Sequence, residues 1–63
     1  MKNGTEMRKN GNMIIKIEDG SFRLWHVKVK QPDGSFLPSK NGPWTYIYNA
    51  RNDADGTLKM PHK

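Results

Sequence analysis

Two Asp-Gly turns bracket a single stretch, and that stretch constrains everything else this chain can fold into. Asp19-Gly20 opens the run Ser21-Phe22-Arg23-Leu24-Trp25-His26-Val27-Lys28-Val29-Lys30, and Gln31-Pro32-Asp33-Gly34 closes it. An Asp-Gly pair supplies the positive φ angles that tight hairpin turns need, so a turn at each end predicts a central strand paired on both sides. From Trp25 onward the alternation is clean. Trp25, Val27 and Val29 fall on one face, and His26, Lys28 and Lys30 on the other, because strand side chains alternate with period two. One face is apolar enough for a core, and the other carries up to three positive charges. Phe22 and Leu24 share the side of His26 and Lys28, a change of buried face found in strands that coil or carry a bulge.

The flanking segments supply partners for this strand. Met13 to Glu18 predicts the preceding strand, with Met13, Ile15 and Ile17 opposed to Ile14, Lys16 and Glu18. Ser35-Phe36-Leu37 predicts a short following strand that Pro38 ends. Ser39 to Pro43 is a loop by composition. Trp44 to Ala50, rich in aromatic and β-branched residues, predicts a further strand. Its two faces are Trp44, Tyr46, Tyr48 and Ala50 against Thr45, Ile47 and Asn49. If Ile47 is core, the aromatics form an exposed ladder; the scarcity of large apolar residues favours Trp44 and Tyr46 inside and Tyr48 exposed. Arg51 to Gly56 predicts a polar turn or a single helical turn, and Thr57 to Met60 a last short strand. No segment predicts an amphipathic helix. Residues 1–12 have no periodicity, and Gly4 and Gly11 raise the entropy cost of ordering them, so a flexible basic arm is expected ahead of one domain over 13–63. The expected fold class is all-β: a strongly bent antiparallel sheet, or an SH3-like or OB-like barrel, of four to five short strands.

A chain of 63 residues makes one small domain, which buries only ~60% of the surface its unfolded form exposes. With no cysteine there are no disulfides and no thiolate zinc site. His26 and His62 lack ligand spacing, so neither a metal nor another cofactor is expected. No apolar run approaches the ~20 residues of a membrane span; the longest, Met13 to Ile17, is broken by Lys16. The polar N-terminus lacks the apolar stretch of a signal peptide. The expectation is a soluble, cytoplasmic protein without a membrane partner. Eleven Lys and Arg against six Asp and Glu leave a net charge of +5. Such an excess favours polyanions, nucleic acid first and an acidic protein surface next.

Catalytic signatures are absent. Ser21, His26 and Asp33 can be assembled into a triad on paper, but no nucleophile elbow or oxyanion motif accompanies them. Asp53-Ala54-Asp55-Gly56 matches part of a calcium loop, yet the first ligand position would be Arg51 and the twelfth His62, so it reads as a polar turn. The chain is therefore expected not to be an enzyme. The basic stripe is the strongest signal. His26, Lys28 and Lys30 point one way at ~6.6 Å intervals (two residues at ~3.3 Å), a spacing suited to following a phosphate backbone. Lys16 on the neighbouring strand can lie beside them, Arg51 and Arg23 can extend the patch, and Tyr48 can stack on an unpaired base. The expected function is non-catalytic nucleic-acid binding, to DNA or RNA, through Lys16, His26, Lys28, Lys30, Tyr48 and Arg51. The alternative is an interaction module or inhibitor that docks on an acidic protein, possible by edge-strand pairing. A homodimer joined at a strand edge is a third arrangement open to so small a core.

Overall fold

The computed structural model describes residues 2–58. Strands β1 (Lys2–Met7), β2 (Met13–Asp19), β3 (Phe22–Lys30) and β4 (Phe36–Pro38) form one antiparallel sheet in the order β1-β2-β3-β4. Helix α1 (Ile47–Asp55) packs across β2 and β3. As its turns predict, β3 is paired on both sides, to β2 from Met13↔Lys28 through Asp19↔Phe22 and to β4 from Lys28↔Pro38 through Lys30↔Phe36. The sheet is not closed into a barrel, because β1 and β4 are both edges. The protein is mostly β, with one helix that an all-β expectation leaves out.

Two hairpin loops share one chemistry. In the loop before β4, Gln31 N–H donates to Ser35 O (2.8 Å) and Gly34 N–H to Gln31 O (2.9 Å), while Asp33 Oδ1 accepts from Ser35 N–H (2.9 Å). The loop between β1 and β2 repeats this: Arg8 N–H donates to Asn12 O (2.8 Å), Gly11 N–H to Arg8 O (3.0 Å), and Asn10 Oδ1 accepts from Asn12 N–H (3.0 Å). Gly11 and Gly34 carry φ of 93° and 91°, the left-handed conformation that a turn ending in a glycine bulge demands. Asn10-Gly11 is thus a true hairpin turn. It folds Lys2–Met7 back onto β2 as an edge strand, with pairs from Lys2↔Glu18 to Met7↔Met13, where periodicity alone suggests a flexible arm.

The expected strand over 44–50 is replaced. Trp44 alone makes a bridge to Trp25, with N–H to O distances of 2.9 Å in both directions, and the helix begins at Ile47. Ile47, Ala50 and Ala54 recur at helical spacing, so one narrow stripe faces the sheet. Ala50 and Ala54 are fully buried with Ile14 and Val27, and Trp25 and Trp44 pack against this cluster. Two alanines let the helix sit close to the sheet. The helix ends where Gly56 adopts φ 77°, with Gly56 N–H on Asp53 O (3.2 Å) and Thr57 N–H on Asn52 O (2.9 Å). This is the paired hydrogen-bond pattern of a Schellman ending, for which glycine is preferred. Asn10 and Asn12 also donate from Nδ2 to Ala54 O, each at 2.8 Å, so the first hairpin loop caps the helix end. Thr57 and Leu58 belong to no strand; the remainder of the expected strand 57–60 lies outside the described residues.

Candidate functional site

Helix α1 covers one face of the sheet, and the cation stripe of β3 lies on the other. The covered face follows from the core: Ile14 and Val27 are Cα partners and both touch the helix cluster. By alternation, Lys16, Glu18, Arg23, Trp25 and Val29 share that side. The opposite face carries Met13, Ile15 and Ile17 from β2, and Phe22, Leu24, His26, Lys28 and Lys30 from β3. Thr5 and Met7 of β1 and Phe36 and Pro38 of β4 complete it, as the register pairs Thr5 with Ile15, Ile15 with His26, Met13 with Lys28 and Lys30 with Phe36. Among the described elements none packs over this face. Phe22 is 71% exposed and Met7 59% exposed.

This register separates the expected site residues. His26, Lys28 and Lys30 do stand together on the open face. Lys16 does not join them, because it is the Cα partner of Trp25 and lies on the helix side, bordering a shallow hollow with Ile14, Trp25 and Ile47. The cause is the two-residue turn Gly20-Ser21 between Asp19 and Phe22. Such a turn pairs even positions of β2 with odd positions of β3. Arg51 is also elsewhere. It sits on α1 and grips Glu6 of β1 with two hydrogen bonds of 2.9 Å. Tyr48 is exposed, as expected, but on the helix, where it stacks on Tyr46 with ring centroids 5.7 Å apart and planes at 22°. Tyr46 is itself 59% exposed, against the expectation that it is core. Trp44 is held inward, its indole N–H donating to Asp53 Oδ2 at 2.9 Å, and Ser39 Oγ donates to the same oxygen at 2.8 Å.

Charge is segregated between the faces. On the helix side a ladder runs Asp55–Arg8–Glu6–Arg51: Arg8 holds Asp55 through two hydrogen bonds (2.8 and 2.7 Å) and also reaches Glu6. Hydrogen bonds from Arg51, against an opposing desolvation, and then from Arg8 hold the Glu6 carboxyl below the usual carboxylate range. Arg8 does the same to Asp55. Arg23 pairs with Glu18 at 2.7 Å. The open face is different. From Leu24 to Lys30 on β3, and across to Met13, Ile15, Ile17, Thr5 and Met7, it carries no carboxylate. The Lys30 backbone N–H is tied to Asn12 Oδ1 (2.9 Å), which fixes this end of β3 against the first hairpin loop. Beside His26 and Lys28, Pro38 and the loop Asn41–Pro43 line a shallow hollow of about 160 Å3.

The surface can therefore offer cations and apolar side chains together, which fits a partner that is both anionic and apolar. The Met13, Ile15 and Ile17 side chains are the part of it that reading β3 alone overlooks; turn length is the signal that finds them. Among the described residues no group of three or more His, Asp and Glu could hold a metal ion, and no helix is long and apolar enough to cross a membrane. No family model, curated protein or solved structure matches this chain.

Proposed function

We propose that this protein is a non-catalytic nucleic-acid-binding module that acts in the cytoplasm through the open face of its sheet. The observation that carries the reading is the segregation of charge. His26, Lys28 and Lys30 stand on a stretch of the open face, from Leu24 to Lys30 of β3 and across to Met13, Ile15 and Ile17, that carries no carboxylate, whereas Glu6, Glu18 and Asp55 are engaged by arginines on the helix side. Cations without competing carboxylates retain their attraction for phosphates, and that attraction weakens with salt as counterions are released. Lys16 and Arg51 drop out of the site, one through its face and the other through its partner Glu6.

The test is binding of a labelled oligonucleotide by fluorescence anisotropy across a salt series. Two or three phosphates neutralised give a slope of log K on log [salt] of roughly −1.4 to −2.7, at −0.7 to −0.9 each. Lys28→Ala with Lys30→Ala should flatten it by roughly 1.4 to 1.8 units, whereas Lys16→Ala and Arg51→Ala should leave the slope nearly unchanged. No binding to DNA or RNA at low salt would overturn the reading. A second reading has its own observation: β1 is paired on one side only along all six residues and contains no proline. Such an edge can accept a strand from an acidic protein, or from a second copy of this chain.

A further inference from the structure

We infer that the open face takes single-stranded rather than duplex nucleic acid, with Phe22, His26 and Phe36 as its base-stacking platforms. This rests on the reading above and narrows it to one class of ligand.

Shape is the first argument. Four strands at ~4.8 Å spacing make a surface at least ~14 Å across before any side chain is counted. The major groove of a duplex is ~12 Å wide and admits a helix or a two-stranded ribbon. The four-stranded face is too broad to enter it, and a flat face laid on a duplex meets only phosphates.

Chemistry is the second. Besides its cations the face carries Met13 and Phe36 next to Lys28 and Lys30, and Ile15, Ile17, Leu24 and Phe22 farther along the ladder. Phosphates cannot cover such groups, and in a duplex the faces of the bases are turned away into the stack. An unpaired strand offers both the phosphates and the π faces. The rings are also spaced to use them. Phe22, His26 and the Lys30–Phe36 pair follow one another at four-residue steps along β3, ~13 Å each at ~3.3 Å per residue. Together they span ~26 Å, which suits the low end of the ~4–16 nucleotides that single-strand sites occupy. Phe22 is 71% exposed and has its ring available. Tyr48, the residue that composition suggests for stacking, stands on the helix and is engaged by Tyr46.

The experiment compares a labelled twelve-nucleotide single strand with the duplex of the same sequence at low salt, using wild type, Phe22→Tyr and Phe22→Leu. The single strand should bind at least about tenfold tighter. Phe22→Leu should weaken it by roughly 5- to 150-fold without changing the salt slope, since stacking is worth that much per base and releases few counterions. Phe22→Tyr, which keeps the ring, should retain most of the affinity. All three proteins should melt alike, because this side chain is largely in water. Duplex binding as tight as single-strand binding, or equal affinity of the Leu and Tyr variants, overturns this inference while the broader reading survives. Absence of binding to both ligands removes both, and leaves the face to an acidic protein.

Discussion

Adjacent isoleucines on β2 offer the sharpest test of which face is covered. Ile14 is 1% exposed and is the largest fully buried side chain, packed among Val27, Ala50 and Ala54. Ile15 is its neighbour on the same strand but points to the open face, between Thr5 and His26. Intrinsic strand propensity is the same for both, so the difference between Ile14→Ala and Ile15→Ala isolates burial. Removing the Ile14 side chain leaves a cavity under a helix held by two alanines, for ~2–5 kcal/mol. Removing that of Ile15 loses cross-strand contacts of ~0.2–1 kcal/mol each, with no second layer to leave a cavity against. At ~4–8 °C per kcal/mol for a domain of this size, Ile14→Ala should lower the melting temperature by ~8–40 °C and Ile15→Ala, with its two cross-strand partners, by ~2–16 °C, the first always the larger. Thermal unfolding by circular dichroism at two protein concentrations settles it. Equal costs, or a larger cost for Ile15, would refute the reasoning. If the melting temperature also rose with concentration, a second copy would be what covers the face.

The helix-side network gives two further predictions. The Glu6 and Asp55 carboxyls are depressed in the folded state, chiefly by Arg51 and Arg8 respectively, so their stabilisation is complete above the unfolded carboxylate values near ~4 and is lost as pH falls through the folded ones. The melting temperature should therefore hold between pH 7 and 5 and fall below about pH 4, with Glu6→Gln showing a smaller fall; identical profiles for the two proteins would deny the ladder any part. Asp53 collects the Trp44 indole and the Ser39 hydroxyl, so Asp53→Ala should cost roughly 1–3 kcal/mol by urea unfolding and blue- or red-shift the tryptophan emission; an unchanged midpoint would show the loop is held by its backbone alone.

Much of the sheet is legible in the sequence because its turns are local chemistry. Asp19-Gly20, Asp33-Gly34 and the alternation of Trp25 to Lys30 suffice for β2, β3 and β4. The strand β1 is harder to see, since Lys2–Met7 has no alternation to read, but Asn10-Gly11 is the same turn signal as Asp33-Gly34 and folds the strand back. The helix was written in the spacing of Ile47, Ala50 and Ala54 with Gly56 just beyond. It is masked by Trp44, Tyr46 and Tyr48, whose β propensity is a weak preference that packing overrides. Nothing local announces that Arg51 will meet Glu6 across 45 residues, because that contact exists only once the helix lies over β2 and β3 and β1 is folded back beside β2. The candidate site divides the same way: the β3 cations follow from alternation, and the exclusion of Lys16 follows from turn length.

Turn length also decides what kind of partner the open face can accept. With two residues in the turn, the apolar side chains of Met13, Ile15 and Ile17 and the cations of β3 must share one face. Fully burying one such aliphatic side chain is worth ~1.5–3 kcal/mol, so a partner that covers several of them gains far more than a partner that touches only lysine tips. Covering the face with a second copy would place two cationic stripes in one interface, with no carboxylate between Leu24 and Lys30 on either side to relieve them. Like charges brought together in an interface cost several kcal/mol, which opposes the apolar gain. A neutral apolar partner would bury the same lysines without compensation. The occupant that satisfies both halves of the face carries anions at its margin and flat apolar groups within reach, and an unpaired nucleic-acid strand has both in every nucleotide.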